Sequence, residues 1–227
     1  MTTPDTLDSW AEGEQLLATA LGRLTDPEFA DPSLLPGWSR HQLLAHVARN
    51  ADALVNLLTW ARTGDRTPMY ASPEDRAAGI ESATALSPAA LRAEVLGSVV
   101  RFVTAVQELP ADAWEHEVAT FSGRTVPASE VVWMRCREVY VHAVDLAAGV
   151  GFEDLPDDVL AALLDDVLAM WAHRGEQPDL TLRAGEASWG SGSTVVTGSL
   201  PDLVAWVTGR SDGAGLTGGL PRVPAWL

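Results

Sequence analysis

The sequence predicts an α+β protein, with a four-helix bundle over residues 1–150 and a small C-terminal α/β domain over residues 151–227. Three observations carry this. Long segments before Gly149 repeat their apolar residues at helical spacing. Loops rich in Pro and Gly separate those segments. After "GVGFEDLP" the texture changes to short β-branched runs bounded by Gly and Ser.

The first helix covers about residues 5–24, with Leu7, Trp10, Leu16, Leu17, Leu21 and Leu24 on its apolar positions. "DPEFADPSLLPGWS" holds three prolines and a glycine, so it is a loop. Ser39 caps a second helix, "RHQLLAHVARNADALVNLLTWARTG", which Gly64 closes. "DRTPMYASPEDR" reads as irregular, with Ser72 a candidate N-cap and Pro73 at a first helical position. A third long helix runs from about Ser87 to Leu109, before Pro110. "WEHEVATFSGRTVP" is non-helical and suggests a small extended segment. The fourth long helix starts near Pro127 and ends at Gly149. Beyond it, residues 156–174 form a helix, "LTLRAG" and "STVVTGS" are strands, and "LPDLVAWVTGR" is a short helix. The final stretch is rich in Gly and Pro.

Composition narrows the function classes. An apolar fraction of 47% over 227 residues is ample for a core. A formal net charge of −16 argues against nucleic acid and against an anionic membrane surface as partners. No apolar run approaches the ~18 residues of a membrane span. "MTTPDTLDSWAEGEQ" lacks the basic start and apolar stretch of a signal peptide. The single cysteine, Cys136, excludes an internal disulfide, and together these features predict a cytoplasmic protein. Nine tryptophans supply large anchors for a core or walls for a pocket.

The chemistry concentrates in "WMRCREVYVHAVDL", residues 133–146. Glu138 and His142 lie about 40° apart on one helix face, and Asp145 about 20° to the other side of Glu138. Val131 and Met134 share that face, so it turns inward. Glu-x3-His on an inward face lets both side chains reach one metal ion, and bundles build metal sites from facing helices. His46 is the candidate third ligand, because Leu43, Asn50 and Leu57 share its face. Two His and one Glu with an open fourth position is the catalytic zinc pattern. On spacing alone, such a pair is more often incidental, and Fe or Mn would fit the same donors. Asp145 either orients a ligand or pairs with an arginine; Asn50 is one turn from His46 and within reach of the site. Cys136 is ~200° round the helix from Glu138 and faces away, as a small structural residue. His41, His116 and His173 read as surface residues. "GSGST" at 190–194 lacks the Lys and following helix of a phosphate loop and reads as a turn.

Four stretches, "LLPGWSRHQLLAHVARNADAL", "RTPMYASPEDRAAGI", "GRTVPASEVVWMRCREVYVHAVDL" and the ending "PRVPAWL", resemble the mycothiol-dependent maleylpyruvate isomerases of actinobacteria. The likeness runs from about Leu34 to Leu227, in the same order and with similar spacing. It implies a DinB-like four-helix bundle and a small C-terminal α/β domain. It also implies zinc held by His46, Glu138 and His142, the same three residues. Two arginines that grip substrate carboxylates fall at Arg76 and Arg210. On residues alone, Arg76 is a solvated arginine and Arg210 a cation at a helix C-terminus, favoured there by the dipole.

The activity so implied turns a cis double bond, set between a carboxylate and a dicarbonyl group, into the trans form. A thiolate adds to the bond, the single bond rotates, and the thiolate leaves. With Cys136 turned away, the thiol comes from outside, as mycothiol, and zinc stabilises it as thiolate. The expected partners are therefore a small dicarboxylate substrate and a thiol cofactor. One rival is a mycothiol S-transferase acting on another electrophile; it keeps the metal ligands but need not hold two carboxylates. The other is a non-catalytic metal-binding bundle, which requires a closed site with a fourth protein ligand, for which Asp145 is the near candidate.

Overall fold

The computed structural model describes residues 3–226. It divides into two compact units, Met1–Gly149 and Val150–Leu227. The last residue of the "PRVPAWL" ending, Leu227, lies outside the described residues.

The first unit holds five helices: α1 (Thr3–Arg23), α2 (Arg40–Thr63), α3 (Pro73–Thr84), α4 (Pro88–Gln107) and α5 (Ser129–Asp145). The four long ones form the bundle. α1 packs on α5 and α2 on α4, while α2 also touches α5 and α3. Their starts follow local rules. Ser39 accepts from the Gln42 backbone N–H, and the Gln42 side chain accepts in return from the Ser39 N–H. Ser72 and Ser87 cap α3 and α4 in the same sense, each followed by a proline that needs no hydrogen-bond partner for its nitrogen. Gly64 ends α2 in the left-handed conformation at φ 78°, a geometry that suits glycine.

Two boundaries differ from the sequence reading. The stretch read as irregular is so only as far as Ala71; α3 begins at Pro73 and runs for 12 residues. Ala83 is its one buried residue, so it lacks the apolar period that reveals a helix in sequence. Its cap and the acidic Glu74 and Asp75 in its first turn define it instead. The fourth long helix is shorter than expected at both ends. Pro127 belongs to a small hairpin of β1 (Glu117–Ala119) and β2 (Thr125–Pro127), in which buried Val118 faces buried Val126. At the other end, Ala147 takes a left-handed φ of 50°, which stops α5 before Gly149.

The second unit combines α6 (Asp157–Arg174) and α7 (Leu200–Val207) with a four-stranded sheet. The strands are β3 (Leu180–Ala184), β4 (Ala187–Gly190), β5 (Thr194–Thr197) and β6 (Thr217–Gly218), in the order β4-β3-β5-β6. β3 runs parallel to β5 and antiparallel to β4. The two expected strands are the central pair; β4 and β6 are short edges that the sequence reading leaves unassigned. "GSGST" is the turn into β5, where a Cβ on Gly192 would collide with the backbone of Asp179 and Leu180. Trp10, Trp171, Trp206 and Trp226 are buried anchors. No helix among the described residues is long and apolar enough to cross a membrane.

A buried ion pair ties the first unit together. Arg135 on α5 is fully buried. Its Nε donates to Glu14 Oε1 on α1 at 2.7 Å, and its Nη2 to Oε2 at 3.3 Å. Nη1 donates to the Val47 carbonyl on α2 at 2.9 Å. Trp10 Nε1 adds a bond to Glu14 Oε1 at 2.9 Å. Removing one partner strands a charge. Arg135→Met is therefore expected to destabilise the protein by about 3–5 kcal/mol, with the double change Glu14→Met/Arg135→Met recovering most of that loss. Urea denaturation of the two singles and the double checks this; a double variant no more stable than Arg135→Met would refute it.

Candidate metal centre

α5 presents Glu138 and His142 one turn apart, and α2 presents His46 against them. Glu138 Oε2 lies 3.2 Å from His46 Nε2 and 3.2 Å from His142 Nε2. One donor atom from each residue falls within 4.8 Å of the others, and the two rings meet edge to face at 5.1 Å. Both histidines are buried. These three residues could hold a metal ion. The donor set is two imidazoles and a carboxylate, borderline ligands that suit zinc.

Asp145 fixes one of the imidazoles. It is fully buried, and its Oδ2 accepts from His142 Nδ1 at 2.8 Å. That bond places the proton on Nδ1 and turns Nε2 toward Glu138. This is the contact that ligand orientation, one of the two sequence readings of Asp145, requires.

The electrostatics follow from burial and these contacts. Burial opposes the charge on Glu138, but hydrogen bonds from His142 and His46 outweigh it and hold the carboxyl well below its ordinary range. Burial lowers His46, and the Glu138 carboxylate only partly offsets this. Burial also works against protonated His142, yet its bonds to Asp145 and Glu138 push it up to about 9.

Other predicted residues divide. Arg76, at the first turn of α3, places Nη2 at 3.5 Å from His46 Nδ1. It lines a pocket with Arg49, Asp52, Asn56, Met69 and Tyr70. Arg210 lies in the second unit, three residues past the end of α7, where its Nη1 donates to the Thr208 carbonyl at 2.6 Å. Asn50 serves the core, its Oδ1 facing Arg135 Nη1 at 3.5 Å. Cys136 is fully buried. His116 and His173 are exposed, while His41 is half-buried, edge to face with Phe29 at 5.6 Å. Two neighbours of the site escape the sequence reading. Trp38 packs edge to face on the His46 ring at 5.7 Å, from a loop without periodic signal. Tyr70 sits in the "MYASPEDR" stretch, where only its place six residues before Arg76 could have drawn attention to it.

Comparisons with known proteins bear on the family and the fold. The family described as "Mycothiol maleylpyruvate isomerase N-terminal domain" matches residues 10–147. A solved structure of a mycothiol-dependent maleylpyruvate isomerase is 40% identical, covers 100% of this chain and 98% of its own, and superposes with a TM-score of 0.94. A histidine-to-alanine variant of that isomerase matches with the same identity, coverage and TM-score. YfiT from Bacillus subtilis, described as a probable metal-dependent hydrolase with an unusual four-helix bundle topology, matches at 17% identity and a TM-score of 0.50. It covers 64% of this chain and 85% of its own, and its likeness is one of fold. No curated protein matches significantly. With its N-terminal model spanning most of the first unit and a full-length relative at 40% identity, the chain belongs to the mycothiol maleylpyruvate isomerase family.

Proposed function

We propose that this protein is a cis–trans isomerase that converts maleylpyruvate to fumarylpyruvate and depends on mycothiol and a divalent metal, zinc by its donor set. The observation that carries the reading is the meeting of His46, Glu138 and His142 at one point with Arg76 beside them, in a chain 40% identical to such an isomerase over its full length. A zinc ion on these ligands supplies a Lewis acid that keeps a bound thiol deprotonated at neutral pH. The chain's own residues do the rest. Asp145 holds the tautomer of His142, so that Nε2 is the free donor. Arg76 is a fixed cation next to the ligands and suits a substrate carboxylate in bidentate fashion. Arg210 is the second arginine that the resemblance implies, and the resemblance alone carries its role. A reduced thiol cofactor and a lone buried cysteine suit the cytoplasm. Arg76 beside the metal ligands favours an isomerase over an S-transferase, whose electrophile need not carry a carboxylate.

The zinc-loaded protein, assayed anaerobically with maleylpyruvate, should form fumarylpyruvate only when mycothiol is present. His46→Ala should lose both its zinc and its turnover. Thiol consumption by other electrophiles without isomerisation would move the reading to a transferase.

Zinc uptake should release a proton. His142, pushed up to about 9, is protonated at neutral pH in the metal-free chain, and a ligand imidazole must be neutral. As pH falls below that value, affinity drops about tenfold per unit for the one proton displaced. The sign for folding is opposite: the raised value stabilises the metal-free chain below His142's unfolded pKa, and that stability fades as pH rises through about 9. Calorimetric zinc titrations at neutral pH, in buffers of different ionisation enthalpy, should show about one proton released; heats independent of buffer would refute it.

Arg76→Met and Arg210→Met should each lower kcat/KM while leaving zinc content unchanged. An arginine whose loss leaves isomerisation untouched has no part in holding the substrate.

A further inference from the structure

The pocket beside the metal centre offers a second polar side chain next to Arg76. Tyr70 lies on the segment between α2 and α3, and that segment is pinned on both sides. Asn56 Nδ2 donates to the carbonyls of Pro68 and Met69 at 3.3 Å each, and Ser72 caps α3 two residues on. The Tyr70 ring stands edge to face against Phe121 at 5.3 Å, with the Arg76 guanidinium 5.9 Å from its centre. Tyr70 and Arg76 line the same pocket, and Arg76 reaches from it to His46. Burial pushes the phenol up to about 12; Arg76 opposes the rise and the Glu138 carboxylate adds to it. The phenol thus keeps its proton at neutral pH and lies within the field of the metal ligands.

We propose that Tyr70 donates a hydrogen bond to the substrate carbonyl oxygen conjugated with the double bond, while Arg76 holds the carboxylate on the other end of that bond. This rests on the isomerase reading above. A cis double bond keeps its two substituents on one side, and a trans bond sends them apart. Two donors side by side in one pocket therefore match the cis isomer and lose one contact when the trans isomer forms. The same bond assists the chemistry. When a nucleophile adds to the alkene carbon, a carbon–nucleophile bond forms, the π bond breaks, and its electron pair moves onto the conjugated carbonyl oxygen. A donor aimed at that oxygen is worth more as charge develops than before. The phenolic proton stays on Tyr70 throughout, and the electron pair returns to the double bond as the nucleophile leaves.

Tyr70→Phe keeps the ring and its packing on Phe121, so the variant tests the hydroxyl alone. The first measurement is calorimetric binding of maleate and fumarate to the zinc-loaded protein without thiol. The wild type should favour the cis acid by about tenfold, the worth of one hydrogen bond to a charged group, and Tyr70→Phe should lose most of that preference. The second is steady-state isomerisation, in which kcat should fall about 10²-fold, as for loss of one oxyanion donor, with zinc content and thermal melting unchanged. Equal binding of the two acids by the wild type, or a variant with wild-type kcat, overturns the proposal. A cis preference that depends on Tyr70 in a protein without isomerase turnover upholds the pocket and sinks the isomerase reading instead.

Discussion

Two of the carboxylates inside the bundle, Glu14 and Glu138, set the terms on which the helices pack. Neither can be left alone away from water. Glu14 is answered by Arg135 from α5, and Glu138, itself on α5, by His46 from α2 and by His142 one turn on. Arg135 and Glu138 are three residues apart, so they stand on neighbouring parts of one helix surface. Their partners lie on different helices. α5 is thereby held in register with α1 through one contact and with α2 through the other. The Arg135 bond to the Val47 carbonyl, next to His46 in sequence, joins the two contacts. A slip of either neighbour along α5 would strand a charge, so the placing of the candidate metal ligands and the packing of the core are one constraint.

That coupling explains what could be read in the sequence. The long helices announce themselves because their buried faces repeat, as in Leu43, Val47, Leu54 and Leu57 on α2. Their starts announce themselves through Ser39 and Ser87, whose side chains cap in the structure as well. Glu138 and His142 were legible as a pair because both lie on one helix and their spacing fixes their directions. His46 was legible through the apolar residues around it. α3 was harder because it buries little. Its existence rests on a serine and a proline, which mark a start but give no length.

The remaining residues were hidden for a different reason. Trp38 and Tyr70 stand on loops, where no period relates position to direction. Their nearness to His46 and Arg76 depends on the path of the chain between helices. Arg76 shared this difficulty: its residues suggested a solvated arginine, and only the resemblance marked it. The structure sets its guanidinium against the His46 ring. Asn50 shows the opposite case. It lies one turn from His46 on the right helix, yet its amide oxygen turns to Arg135, because a fully buried guanidinium needs every acceptor in reach.

The chain's acidity bears on how such a site could work. A net charge of −16 repels a dicarboxylate at long range, so attraction has to be local and strong. Two neutral imidazoles and one carboxylate would leave a divalent ion with a net positive charge, and Arg76 adds a second positive charge 3.5 Å from His46 Nδ1. A closed structural site would need a fourth donor, and Asp145 is the nearest acid on α5. Its Oδ2 accepts from His142 Nδ1 at 2.8 Å, the contact by which an acid orients a candidate ligand ring. Used in this way, the acid that a closed site would need as its fourth donor orients one of the three candidate ligands instead.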